Sequence, residues 1–168
     1  NKAETGKERC GMYLYIKQKM FSWKDKYKVY DAEGNLYFDV ESEFMTMTPR
    51  FHLTDLSGRE LFYIHRNFTF FAAQYEIYQG EHLCAAIQQH VRWFSAKLDI
   101  SSDYGDFEVE GDFMGRDYTI SCNGTCIGMV RKKWMSWSDC YELEIPDEKD
   151  AAFFSALVIA IDNCLHDD

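Results

Sequence analysis

Two stretches of this sequence combine positive charge with aromatic surface in a way that suits an anionic interface. In the first, Lys17, Lys19, Lys24, Lys26 and Lys28 surround Phe21 and Trp23, with Asp25 as the single acid, giving a local charge of +4. At the two-residue period of a strand, Lys24, Lys26 and Lys28 share one face, as do Lys17 and Lys19. In the second, Arg131, Lys132 and Lys133 run into Trp134. A Lys or Arg beside an anionic membrane contributes about 1 kcal/mol, and aromatic rings placed at hairpin tips sit well at the headgroup level. The competing description is a set of solvated outer strand faces. The formal net charge of −10 favours that description, although screening beyond about 8 Å lets a local patch act by itself. The same net charge excludes a general nucleic-acid binder, which needs the opposite sign.

Other chemistry is sparse. The histidines are His52, His65, His82, His90 and His166. His82-x-Cys84 points two potential ligands to one strand face, but no further ligands follow at a recognisable spacing, so no metal and no cofactor are expected. Cys122 and Cys126 bracket a turn at Asn123-Gly124. They fit a bridge formed on oxidation, half a metal site, or simply two small strand residues. No nucleophile elbow, phosphate loop or dinucleotide fingerprint occurs. The expectation is a binding domain without catalytic activity.

The elements that must position these residues are mostly strands. The chain has 168 residues, 17% of them aromatic, with 10 Gly and 2 Pro, a composition suited to one strand-rich domain rather than to disorder. Alternating segments separated by turn residues read as strands at 12–19, 26–31, 36–41, 51–54, 60–65, 74–78, 83–93, 97–100, 106–113, 118–121, 125–133 and 138–145. Twelve strands with frequent turns signify an antiparallel sandwich or barrel. Tyr27-x-Val29-x-Asp31-x-x-Gly34 is echoed by Phe51-x-Leu53-x-Asp55-x-x-Gly58, a pseudo-symmetric hairpin repeat whose Asp and Gly make the turn. Asp31, Glu33 and Asn35 alternate oxygens without the remainder of a calcium loop, and read as turn chemistry. A polar tail spans residues 1–11, and a single domain is expected over 12–168.

The end of the chain changes character. Asp147 is a suitable helix N-cap, and residues 151–161 carry no charge on any side, so the helix they form must be surrounded. Eleven residues at about 1.5 Å each span roughly 16 Å, half a hydrocarbon layer, so no transmembrane segment is expected and the helix belongs in the core. The first residues contain no apolar signal core. The six cysteines are therefore expected to be reduced thiols in a cytoplasmic protein, peripheral to the membrane if the basic stretches bind it.

In order and spacing, several segments resemble the LURP-one-related family. They are the hairpin at 27–40 with its echo at 51–64, Phe107-x-Val109-x-Gly111-Asp112-Phe113, Asp117-Tyr118-x-Ile120, Ile127-Gly128-x-Val130-Arg131-Lys132, and Tyr141-x-Leu143 leading into the apolar helix. The resemblance covers roughly residues 12–165. It implies a mainly β, Tubby C-terminal-like fold: a twelve-stranded antiparallel β-barrel enclosing a hydrophobic C-terminal α-helix, similar also to phospholipid scramblases. Functionally it implies less, since most members are uncharacterised. Tubby domains bind phosphoinositide head groups through basic surface residues, which makes the two basic-aromatic stretches the candidate site for an anionic phospholipid. Scramblases bind calcium near an acidic stretch before the terminal helix, but residues 146–150 are too short for such a loop and are interrupted by Lys149. The alternatives are a protein-protein interaction module and a small-molecule enzyme with its site at the barrel mouth.

Overall fold

The computed structural model describes residues 11–19, 25–67, 74–92, 95–112, 117–135 and 138–166. For residues 25, 26, 90–92, 95–97, 134, 135, 138, 139 and 166 it describes the backbone alone. Twelve strands follow in order: β1 (Met12–Gln18), β2 (Asp25–Tyr30), β3 (Leu36–Ser42), β4 (Arg50–Thr54), β5 (Glu60–Asn67), β6 (Gln74–Gln79), β7 (His82–Arg92), β8 (Ser95–Ser102), β9 (Phe107–Asp112), β10 (Asp117–Cys122), β11 (Thr125–Met135) and β12 (Ser138–Ile145). A single turn of 3₁₀ helix, Glu148–Asp150, leads into α1 (Ala151–His166).

Each strand pairs with its sequence neighbours in antiparallel fashion, and β1 pairs with β12, closing the sheet into a barrel. Closure removes every sheet edge. Alternation does the rest. Two residues from most strands point inward and are buried, such as Leu14 and Ile16 of β1, Phe51 and Leu53 of β4, and Leu98 and Ile100 of β8. The intervening side chains face outward, as the period of two requires.

The interior these residues enclose is filled by α1. From Phe153 to Ile161 every residue of the helix is buried, which answers why the segment carries no polar face. Phe153 meets Phe62 and Phe107 at ring-centroid distances of 6.1 and 6.2 Å, and Tyr104 stacks on it at 3.9 Å and 11°. Asp147 caps the 3₁₀ turn: its side chain accepts from the Lys149 backbone N–H at 3.0 Å. The cap therefore precedes α1 by one turn rather than starting it.

Hairpin turns at the end where the helix enters are built alike. Asp31 accepts from the Asn35 backbone N–H at 2.8 Å, and Asp55 from those of Ser57 and Arg59 at 2.9 and 3.0 Å. Gly34 and Gly58 hold φ of 86° and 84°, left-handed values at which a Cβ is strained. This is the physical content of the sequence repeat. Gly111 serves differently. Its φ is 149°, and a Cβ there would lie 2.4 Å from the Asp117 carbonyl oxygen across the β9–β10 ladder.

Polar atoms are few inside. Among the described residues, Ser155 Oγ is the buried side-chain polar atom without a hydrogen-bond partner. An orphaned hydroxyl costs about 1–3 kcal/mol relative to a satisfied one. Ser155→Ala is therefore expected to stabilise the protein by about 1 kcal/mol, read as a higher midpoint in urea unfolding. Leu157→Asp at the helix centre is expected to abolish folding, since a buried unpaired charge costs several kcal/mol. A folded Leu157→Asp protein would show that the helix is not enclosed.

Candidate functional site

The register across four strands brings the two basic stretches onto one outer face. Lys28 of β2 lies opposite Lys17 of β1, Lys17 opposite Cys140 of β12, and Cys140 opposite Lys133 of β11. One step along, Tyr30, Tyr15, Glu142 and Arg131 form the next row. Residues opposite one another on adjacent strands share a face at about 5 Å, so stretches more than a hundred positions apart in sequence become neighbours here.

Acidic side chains are interleaved with this row. Lys28 Nζ reaches Asp39 Oδ2 at 3.3 Å, and Lys133 Nζ reaches Glu142 Oε1 at 3.2 Å. Arg131 lies 3.6 Å from Glu142 and 3.7 Å from Glu144. Glu142 also accepts from the Tyr15 hydroxyl at 3.1 Å. Burial, reinforced by Glu142, pushes the Tyr15 hydroxyl above its ordinary pKa. Lys17 rests its ammonium 4.6 Å above the ring of Tyr30, a cation–π arrangement. Beneath the lysines, Cys140 is fully buried although it belongs to the outward register. Burial raises its thiol pKa against the pull of Lys17 and Lys133, so the thiol stays protonated. The face is an ion-pair lattice with cationic residues toward one end, rather than an unrelieved positive patch.

Not every candidate joins it. Lys132 lies opposite Tyr141, whose side chain is buried inside the barrel, and so takes the inward register. Lys19 follows the end of β1 and is exposed. Phe21, Trp23 and Lys24 lie outside the described residues, as do the side chains of Lys26 and Trp134.

The end of the barrel reached by Lys17, Lys28 and Lys133 also carries the connection from β3 to β4, residues 43–49. Here Phe44, Met45 and Met47 are 57, 87 and 100% exposed. Met45 takes a positive φ of 58°, uncommon for a residue other than glycine. This connection leaves no signal in the sequence, because three apolar residues among Glu43, Thr46 and Thr48 carry no periodicity. Its base is held tightly. The Glu43 backbone N–H donates to the Arg50 carbonyl at 3.0 Å, and its carboxylate takes Arg50 at 3.3 Å and His52 Nε2 at 3.0 Å. His52 Nδ1 lies 2.5 Å from Glu60.

Two carboxylates accepting from both ring nitrogens require the imidazolium. Burial opposes the charge on His52, but the hydrogen bonds to Glu60 and Glu43 outweigh it, and its pKa is raised. A raised folded-state pKa contributes stability that is complete below the unfolded value of about 6.5 and disappears as pH rises through the folded value. Thermal stability of the protein is thus expected to fall on going from pH 6 to pH 8 by more than that of His52→Gln. Equal pH dependence in the two proteins would show that His52 is not held as the cation.

Cys84, Cys122, Cys126 and Cys140 are free thiols. Cys122 lies opposite Thr125 and Cys126 opposite Ser121, because the ladder slips between Ile120 and Ser121. The two thiols are therefore not cross-strand partners. His82 and Cys84 do acquire a third potential ligand, Asp103, from the turn between β8 and β9. Its separation in sequence hid it.

Comparison with known proteins agrees with this architecture. The profile of the LURP-one-related family matches residues 12–162. The uncharacterized protein YxjI of Bacillus subtilis (strain 168) is 32% identical over 155 residues, covering 92% of this chain and 94% of that protein. The X-ray structure of an Arabidopsis thaliana protein superimposes with a TM-score of 0.66 at 16% identity, covering 90% of each chain.

Proposed function

This chain belongs to the LURP-one-related family, and on that premise we propose that it is a non-enzymatic domain that binds an anionic phospholipid surface with one end of its barrel. The observation that carries this reading is the pairing of exposed Phe44, Met45 and Met47 with the row of Lys17, Lys28 and Lys133 at the same end. Apolar side chains on a firmly anchored turn enter the headgroup region without ordering a loose loop first. Full burial of a Met or Phe side chain contributes about 1.5–3 kcal/mol, and each lysine near anionic lipid about 1 kcal/mol. Partial insertion of two or three such side chains with two or three lysines amounts to roughly 5 kcal/mol, which suits weak, reversible attachment.

Charge is also distributed in support of one orientation. Asp99, Asp106 and Glu108 line a surface depression of about 400 Å³ on the side formed by β7, β8 and β9, across the strand order from β1 and β2. Repulsion between that side and anionic lipid leaves the end bearing lysines and methionines to face the membrane. The Tubby-like resemblance points to the same ligand class.

Co-sedimentation with vesicles of neutral lipid, phosphatidylserine and phosphoinositide at two salt concentrations tests the proposal. Binding is expected on the anionic vesicles, weakening as salt rises. It should be lost in Lys17→Glu/Lys28→Glu and reduced at least tenfold in Met45→Asp/Met47→Asp. Absence of binding at low salt, or binding unchanged by both variants, would overturn it and direct attention to a protein partner for the exposed connection.

A further inference from the structure

The opposite end of the barrel holds a different constellation. His82 and Cys84 stand two residues apart at the start of β7, and Asp103 follows β8. The Asp103 backbone N–H donates to the Cys84 carbonyl at 2.9 Å, which makes the two residues cross-strand neighbours with side chains on one face. The β6–β7 ladder slips between Leu83 and Ala85, leaving Cys84 as a bulge residue, and His82 converges on the same group across it. Its Nε2 lies 2.6 Å from Asp103 Oδ2, and one donor atom from each of the three residues falls within 4.8 Å of the others.

We propose that His82, Cys84 and Asp103 form a three-ligand site for a borderline-soft divalent metal, zinc foremost, with the fourth position left to water or an external ligand. The donor set makes the selection. Imidazole and thiolate with one carboxylate suit zinc, whereas magnesium and calcium take oxygen ligands. Bond lengths of about 2.0–2.3 Å at tetrahedral angles put ligand atoms roughly 3.3–3.7 Å apart. Closing around the ion then requires His82 and Asp103 to separate by about 1 Å and the sulfur to approach by a similar amount. His82 and Asp103 are exposed at 68 and 54% of their side chains, so they are at liberty to adjust. Cys84, 4% exposed, is the fixed point.

The surroundings hold the site in register. The Tyr104 backbone N–H donates to Ser102 Oγ at 3.1 Å, and Ser102 Oγ donates to the Gly105 carbonyl at 2.7 Å. Tyr104 itself is stacked on Phe153 of the enclosed helix. The turn carrying Asp103 is therefore braced against the core. Binding replaces the S–H bond of Cys84 with a sulfur–metal bond and releases that proton to solvent. The ion ties the hairpin of β6 and β7 to the turn between β8 and β9.

Full-length reduced protein, stripped with a chelator, tests this by titration with Co²⁺ followed by Zn²⁺. One equivalent of Co²⁺ is expected to produce a thiolate-to-metal charge-transfer band in the near ultraviolet. Zn²⁺ should remove the band, and Mg²⁺ and Ca²⁺ should not. Cys84→Ser should abolish it, and His82→Gln or Asp103→Asn should each weaken Zn²⁺ binding by about 100-fold or more, beyond the ~10–100-fold cost of losing an outer-shell partner. Cys126→Ser should leave binding unchanged. Absence of the band, or its survival in Cys84→Ser, would overturn the proposal. If Cys84→Ser does not fold, His82→Gln decides alone, being an exposed change: unchanged Zn²⁺ affinity there overturns it equally.

Discussion

Everything in this molecule depends on enclosing a helix that has no polar side. A 16-residue helix that is uncharged from Phe153 to Ile161 and apolar there but for Ser155 is insoluble as a surface element, and a twelve-stranded sheet left open exposes two edges and its apolar face. Each solves the other's problem. The helix supplies the core that the inward residues need, and the sheet closes because it has something to close around. The polar end of the helix fixes the arrangement. Buried Asp162 accepts from the hydroxyls of Tyr27 at 3.1 Å and Tyr141 at 2.7 Å, while Asn163 Nδ2 donates to the Tyr27 hydroxyl at 2.9 Å. Burial, reinforced by Asp162, pushes the Tyr27 pKa well above its ordinary value and keeps that hydroxyl a donor. Tyr27 and Tyr141 come from β2 and β12, the strands on either side of β1, so this clamp spans the seam where the chain's first strand meets its last.

With the interior occupied by the chain's own helix, binding chemistry is left to the outer face and the two ends. The two ends differ in kind. Where the helix enters, tight Asp–Gly turns and a braced Tyr104 frame the group of His82, Cys84 and Asp103, in which buried Cys84 is fixed and the other two donors can adjust. Where it ends, a longer connection exposes Phe44, Met45 and Met47 beside a lysine row. Converging donors on a braced frame suit a small ion, and apolar projections flanked by cations suit an anionic interface. The contacts of Glu142 with Tyr15, Arg131 and Lys133 share one mostly buried carboxylate, and such pairs gain from being joined into a network.

The sequence shows the fold because its determinants are local. Alternation marks the strands, Asp and Gly at fixed offsets mark the turns, and an uncharged run preceded by Asp147 marks the helix. Differences are at element ends: β5 runs to Asn67 and β8 to Ser102, further than the patterns at 60–65 and 97–100 suggest. The site was far less legible, because its determinants are relations of register. Nothing near Lys17 announces that Cys140 and Lys28 will flank it, since a shift of one residue would place a different set there. Asp103 is invisible as a partner of Cys84 for the same reason. The 43–49 connection escaped because loop residues follow no period, so exposure of Phe44, Met45 and Met47 emerges only once Glu43 is seen gripping Arg50 and His52.

The claim that the enclosed helix organises the molecule is tested most directly by native-state hydrogen exchange followed across urea concentrations. If the helix is held inside a closed barrel, its central amides at 157–161 exchange only through global unfolding. They then share one opening free energy and one urea dependence with the strands β1, β2 and β12. Exchange of those helix amides at a lower free energy, with the strands still protected, would mean that the helix leaves an intact barrel. That result would contradict the account and return the interior to the places where a ligand can bind.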